Sequence, residues 1–436
     1  MKCAFLIAKK IALKQFLLLL VMLLALTSAQ RSGRKPKLLA LTSVHIVDRN
    51  GFAETITNKD RLGQFQKTDF LKPQAYQKVL RIYERDSKGN VRSVVSSYHS
   101  NGNPKQFLEI LNGRARGNYW EWHENGSMSA SARVIGGVAD ITQAAEHSWL
   151  FDGISYAWDE EGHLLAQIPY IQGFLEGIAQ YYHTNGQVWK RIPYHKNVVD
   201  GVVEIHKDSG EILQQITYCQ GNKHGSSLRF WAPGQVASQE EYVQGKLESG
   251  LYFSKNGASL AQVKQGTGYR ATFGKDSINE LQEYKRGILE GEVRVYTPQG
   301  GLRRIYHVKD NVKHGEEVEY YDVIDNGKLL PKISFYWYEG KIHGLMKTWY
   351  SNGNFESQRE LSNNLKNGIA SFWYRDGNLM MIEEYEQNKL IRGDYFKPGE
   401  KVPFSQVVQG KGVATIFDAE GHFVSKVSYL NGRPDE

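Results

Sequence analysis

The residues most able to do chemistry are spread along this chain of 436 residues, and their spacing decides what they can do. Its 13 histidines recur at turn-like places: His99 and His183 in H-x-N-G, and His224, His314 and His343 each directly before a glycine. Imidazoles bind a metal only when they converge on one ion, and turn positions predict solvent-exposed rings instead. Cys219 is the single cysteine after Cys3. With no disulfide partner and no neighbouring base, it is predicted to be a small packed side chain. Gly266, Gly268 and Gly274 lack the Gly-Lys-Ser/Thr ending of a phosphate loop and read as an insertion turn. The carboxylate pairs Glu240-Glu241, Glu316-Glu317 and Glu383-Glu384, like Arg303-Arg304, fall in strand-like segments where adjacent residues face opposite ways, so neither member assists the other. These residue patterns predict no catalytic, metal or cofactor site, and therefore not an enzyme.

What remains is a set of aromatic residues at regular intervals: Trp158, Tyr182, Trp349 and Trp373. Such a column either packs as core or lines a face that stacks on an extended peptide or a glycan. The elements that must position it are legible as a repeat. Gly177, Gly201 and Gly225 are spaced by 24 residues, as are Gly153 and Gly177, Gly291 and Gly315, and Gly344 and Gly368. Position six of the unit is aromatic in most copies. Position ten is glycine, as at Gly186, Gly210, Gly353 and Gly377, often after Asn or Asp. Asn-Gly and Asp-Gly predict a two-residue hairpin turn with both central residues at positive φ. After it, Leu164, Ala166, Ile168 and Tyr170 alternate inward, as do Val188, Ile192 and Tyr194, and Ile212, Ile216 and Tyr218. Three residues past the terminal tyrosine stands Gly173, Asn197, Gly221, Gly245, Asn388 or Gly432. Glycine and asparagine best tolerate left-handed backbone, so a second tight turn follows each strand.

The expected fold is therefore all-β: an elongated antiparallel sheet of stacked hairpins, each unit too small to stand alone. Residues 127–150, 255–283 and 322–333 depart from the period and read as insertions or bends. Ahead of the repeats, which occupy 98–436, residues 38–97 read as a capping region. It holds a strand over 38–47, a stretch to Gln77 that is either short helix or loop, and degenerate first repeats from Val79.

Composition agrees, with 12% aromatic residues and 43 glycines against 11 prolines. Residues 1–29 have a lysine-bearing start, an apolar run from Phe16 to Leu26, and Thr27-Ser28-Ala29, the order of a cleavable signal peptide, followed by a polar linker over 30–37. The apolar run is about half the roughly 20 residues that span a bilayer. Without that segment the formal charge of +7 nearly vanishes, so no nucleic-acid partner is expected.

The pattern of Tyr170, Gly173, Gly177, Tyr182 and Asn185-Gly186 resembles the MORN-repeat variant of bacterial YwqK-like proteins over most of the chain from Tyr98 to Gly432. That resemblance implies the stacked-hairpin architecture. Members are often labelled antitoxins, which implies toxin binding as an alternative function. The chain departs from the tighter spacing of the MORN unit proper, and with it from the lipid-binding role suggested for some such proteins. The function expected is that of an exported scaffold, in the periplasm, the cell envelope or outside the cell. It is expected to act as a monomer that binds a protein or polysaccharide along its repeats. An antitoxin or immunity-type protein that binds a toxin is the alternative.

Overall fold

The computed structural model describes residues 39–325 and 328–435, so the signal peptide and linker fall outside the described residues. The described part is built almost wholly from strands, with two short helices. It forms two compact units: residues up to Gly126 together with 134–149, and residues 127–133 together with everything from Leu150 onward.

In the first unit Leu41–Val47 pairs with both Ala53–Ile56 and Lys78–Arg85, which continues into Val91–Tyr98 and Pro104–Leu111. The stretch read as helix or loop contains the helix Lys59–Phe65, started by Asn58, whose side chain accepts from the Asp60 and Arg61 amides. The helix contributes Leu62 to a core with Val44, Ile56, Phe70, Val79 and Tyr98. Burial pushes the Tyr98 hydroxyl up to about 12, and it donates to the Phe70 carbonyl at 3.0 Å. A second helix, Gln143–Glu146, lies in the predicted 127–150 insertion.

In the second unit successive strands pair in chain order, and each hairpin has two different turns. At the first, the His183 amide donates to the Gln187 carbonyl and Gly186 alone has positive φ, not Asn185. A bulge follows, shifting the register between Tyr181 and Tyr182. This corrects the expected two-residue turn. The loop holds three residues, and one left-handed glycine plus a bulge restores the strand twist. The turn with two positive-φ residues is the second, at Lys196-Asn197 (φ 48 and 69) and Asn363-Asn364 (φ 51 and 69). There the left-handed residue also reaches the previous unit. The amides of Asn197, Asn364 and Asn388 donate to the carbonyls of Leu175, Ile342 and Lys366 at 2.9 to 3.0 Å. Their side-chain oxygens accept from the amides of the same three residues at 2.6 to 2.8 Å. The unit-starting glycine has a different reason. In two units the previous strand's glutamate lies across it, so that a Cβ on Gly291 or Gly368 would sit 2.0 or 1.9 Å from the Glu283 or Glu360 carboxylate.

The inner face is organised around small residues. In six units position three is Ala179, Val203, Ser227, Val293, Ala370 or Ala414, all at most 5% exposed, while the Gly153, Gly315 and Gly344 units have Ser155, Glu317 and Met346 there. Opposite Ala179 and Val203 lie Ile192 and Ile216, but opposite Ser227 and Ala370 the same position holds Glu240 and Glu383. Both glutamates are buried, and each is clasped by tyrosines. The hydroxyls of Tyr242 and Tyr252 donate to Glu240 at 3.0 Å. Those of Tyr385 and Tyr395 donate to Glu383 at 3.0 and 2.8 Å. Burial first, then the carboxylate, holds all four hydroxyls far above the usual tyrosine range. Room for the folded-back ring comes from the glycine paired with each glutamate, since a Cβ on Gly250 or Gly393 would meet the Tyr252 or Tyr395 oxygen at 2.3 or 2.5 Å.

These two clusters mark two tight windings of the sheet. Their second turns, at Gly245, Gly266 and Gly287 and at Asn388, Gly410 and Gly432, follow one another at a shorter spacing along the chain than in the regular array. The turns then bond to one another: Leu247 N to Gly287 O, Gly287 N to Gly266 O, and Gly266 N to Glu248 O, at 2.8 to 3.1 Å. The same ring recurs from Leu390 to Gly432 and Gly410. Residues 255–283 are therefore not an insertion but shortened hairpins, paired in order from Lys246–Phe253 through Ser259–Lys264 and Thr267–Phe273 to Ile278–Lys285. The departure at 322–333 is a lengthening, the paired strands Gly315–Asp325 and Lys328–Tyr338 having 11 residues each.

The two clusters differ in one partner. Arg270 Nε donates to Glu240 at 2.7 Å, whereas Ala414 occupies the matching position beside Glu383, which has no ion pair among the described residues. Burial acts most strongly and would lower the Arg270 pKa, but Glu240 together with the Tyr242 and Tyr284 hydroxyls raises it overall. Tyr395→Phe is expected to cost about 1–3 kcal/mol, more than Tyr252→Phe, in urea unfolding of the full chain. Equal costs would remove the distinction drawn between the two clusters. Asn388→Ala is expected to cost about 1–2 kcal/mol while Asn388→Gly costs less, measured the same way. An alanine variant as stable as the parent would show that the left-handed turn imposes no constraint.

Candidate interaction surface

The residues singled out by type sit as follows. Trp158, Tyr182, Trp349 and Trp373 are all half-buried, neither sealed in the core nor open. Trp158 stacks beside Tyr156 at 5.7 Å. Phe355 lies 5.5 Å from Trp349 and 5.8 Å from Trp373, linking the position-six rings of two successive units. Cys219 is exposed rather than packed, because it ends its strand opposite Asn222 at the turn. The turn histidines divide. His224 and His343 are exposed, while His99 and His183 are half-buried. Their Nε2 atoms lie 2.8 and 3.2 Å from the carbonyls of Trp122 and His206. His314 lies 5.7 Å from the Tyr338 ring. The His183 position is a stitching site: Tyr350 and Tyr374 donate from it to the carbonyls of Trp373 and Phe396 at 2.8 and 2.6 Å.

Among the described residues one grouping has metal-ligand types in reach of one another, Asp159, Glu161 and His163. It is a turn lock. Asp159 accepts from the His163 backbone amide at 2.7 Å and lies 2.9 Å from its ring nitrogen. Asp418 and His422 repeat that arrangement at 2.8 and 3.0 Å, with neighbouring Glu420 paired to Arg375. The carboxylate pairs alternate as expected, with Glu241, Glu316 and Glu384 exposed. Their inward partners are already engaged. Glu317 takes Lys313 at 2.6 Å and the Trp337 indole at 2.7 Å, and the tyrosines hold Glu240 and Glu383. Sequence alternation assigned these residues to opposite faces but missed that one face is core. The tyrosine two positions after Glu240 and Glu383, and the second tyrosine beyond the following turn, were the signal available.

The surface with unspent capacity is the outer face of the hairpins from Gly153 to Cys219. Two parallel stripes cross six adjacent strands there. The first is apolar: Ile154 opposite Pro169, Ile178 opposite Pro193, and Val202 opposite Thr217. Ile154, Ile178 and Val202 are 50%, 55% and 46% exposed. The second is a continuous run of cross-strand partners, Tyr156, Gln167, Gln180, Arg191, Glu204 and Gln215. Between them lies a shallow groove of about 370 Å³, lined by Ile178, Gln180, Arg191, Pro193, Val202 and Glu204. Arg191 and Glu204 pair at 3.4 Å. Burial would raise the Glu204 pKa, but the Gln215 hydrogen bond and nearby His206 lower it overall. The regularly spaced aromatic residues drew the expectation from sequence away from this face.

No curated protein matches the chain. Among solved structures it is similar to a TcdB2–TccC3 toxin chain, at 10% identity and a TM-score of 0.14, over 88% of this chain and 29% of that one. It is also similar to a Photorhabdus luminescens Tc holotoxin pore, at 11% identity and a TM-score of 0.14, over 90% of this chain and 24% of that one. The chain thus spans less than a third of the length of those toxin chains. Residues 175–196 and 366–387 match the MORN repeat variant. Each match begins just before a unit glycine, Gly177 or Gly368, and runs through both strands of its hairpin into the second turn, so these two segments carry the MORN repeat variant within a longer array of like-built hairpins.

Proposed function

We propose that this protein is an exported, non-catalytic scaffold that captures a macromolecule on the outer face of its hairpins between Gly153 and Cys219. The observation that carries this reading is the apolar stripe in which Ile154, Ile178 and Val202 are left exposed, with half-buried Pro169 and Pro193 opposite two of them, beside a ladder of polar side chains on rigidly paired strands. A repeated hairpin offers the same chemistry at fixed intervals, which suits an elongated ligand better than a small one. The groove is too shallow and too open to enclose a substrate. Toxin binding, as implied by the likeness to YwqK-like proteins, is the same act of capture with a particular partner.

The exported part of the proposal rests on the lysine-bearing start and apolar run of residues 1–29. Mass spectrometry of the chain recovered outside the cytosol is expected to find Gln30 as its first residue. A full-length chain confined to the cytosol would refute export. For the binding face, tagged parent and the variant Ile154→Asp, Ile178→Asp, Val202→Asp are compared after crosslinking in cells. The parent is expected to hold one reproducible partner that the variant loses, with circular dichroism unchanged because all three side chains are exposed. A partner retained in full by the variant would place the binding face elsewhere.

A further inference from the structure

Resting on the reading of this face as the binding surface, we propose that the stripe from Ile154 to Val202 takes an uncharged, proline-rich peptide in the polyproline II conformation. The peptide lies across the strands and sets one side chain on each hairpin. The argument is one of spacing. Ile154, Ile178 and Val202 occupy the same place in successive hairpins, two strands apart. At about 4.8 Å per strand they recur every ~9.6 Å. A polyproline II helix presents the same side every three residues, or about 9.3 Å, so it stays in register over three hairpins to within roughly 0.6 Å. An extended strand repeats at about 6.7 Å and slips by several ångströms at the first hairpin. Two turns of an α-helix span about 10.8 Å and fall behind by more than 1 Å per hairpin.

Charge and hydrogen bonding agree with the spacing. Arg191 and Glu204 neutralise each other at 3.4 Å, which leaves the groove floor without net charge and matches an uncharged occupant. A polyproline II backbone has no internal hydrogen bonds, so its carbonyls need outside donors. Gln167 and Gln180 stand side by side on neighbouring strands in the adjoining stripe, and their amides supply them. Pro169 and Pro193 complete the apolar floor with flat rings.

The test uses the full chain and fluorescence anisotropy with labelled peptides of about nine uncharged residues, long enough for three polyproline II turns. One has proline at every third position, and a control of the same composition has its prolines rearranged. A β-linked oligosaccharide is the third probe, used as an unlabelled competitor and by calorimetry. The every-third peptide is expected to bind at least about tenfold tighter than the rearranged one, and Ile178→Asp is expected to abolish that difference. Equal binding of the two peptides, sensitive to Ile178→Asp, would overturn the polyproline II occupant while leaving the face a binding surface. Binding of the oligosaccharide alone, again sensitive to Ile178→Asp, would replace the peptide with a glycan. If no probe binds and the triple variant also keeps its partner in cells, both this proposal and the binding face fail.

Discussion

Each hairpin is tied to its predecessor by a residue whose backbone is wound in the sense most side chains avoid. At Asn197, Asn364 and Asn388 the left-handed turn aims an amide at one earlier carbonyl and a side-chain oxygen at the matching earlier amide. Two bonds per turn thereby join units about 22 residues apart in the chain. A two-stranded hairpin gains little on its own, so these links between turns do for the stack what a second packed layer does in a sandwich. Glycine at the same place keeps the backbone bond and gives up the side-chain one, as at Gly221, whose amide donates to Val199.

The core follows from that close stacking. With strands held in register, the most sheltered column is filled by alanine, valine and serine rather than by rings. Replacing the isoleucine of this column by Glu240 or Glu383 would be costly if the carboxylate stood alone. It is stabilised because tyrosines fold over a paired glycine to reach it, and where this happens the hairpins shorten and their turns close into a ring of hydrogen bonds. A polar core and tight curvature thus occur together, twice, in segments with matching residues at corresponding places. Arg270 joins only the first, so the two windings are alike in geometry and unlike in charge balance.

The regular hairpins before Cys219 have isoleucine where the windings have glutamate, and their inner face is satisfied by small apolar packing. Their outer face keeps Ile154, Ile178 and Val202 in the open, next to a polar ladder in which Arg191 and Glu204 offset each other's charge. Regular spacing turns a set of ordinary exposed residues into a ruler. No described helix is long and apolar enough to cross a membrane.

Residue order by itself determined the period, the two punctuated turns per unit, the all-β class and the alternation that puts Glu240 and Glu241 on opposite faces. These are local properties, set by which residues accept left-handed backbone and by the two-residue repeat of a strand. The tertiary structure alone decided which turn carries two left-handed residues, since that depends on where the bulge falls. It also decided that residues 255–283 continue the array, that Cys219 points outward, and that the inner glutamates are core. Alternation says that two neighbours face apart, but only the fold says which side is covered. The outer stripe was hidden for the same reason: only the burial of Ala179 and Val203 shows that Ile178 and Val202 stand on the open side.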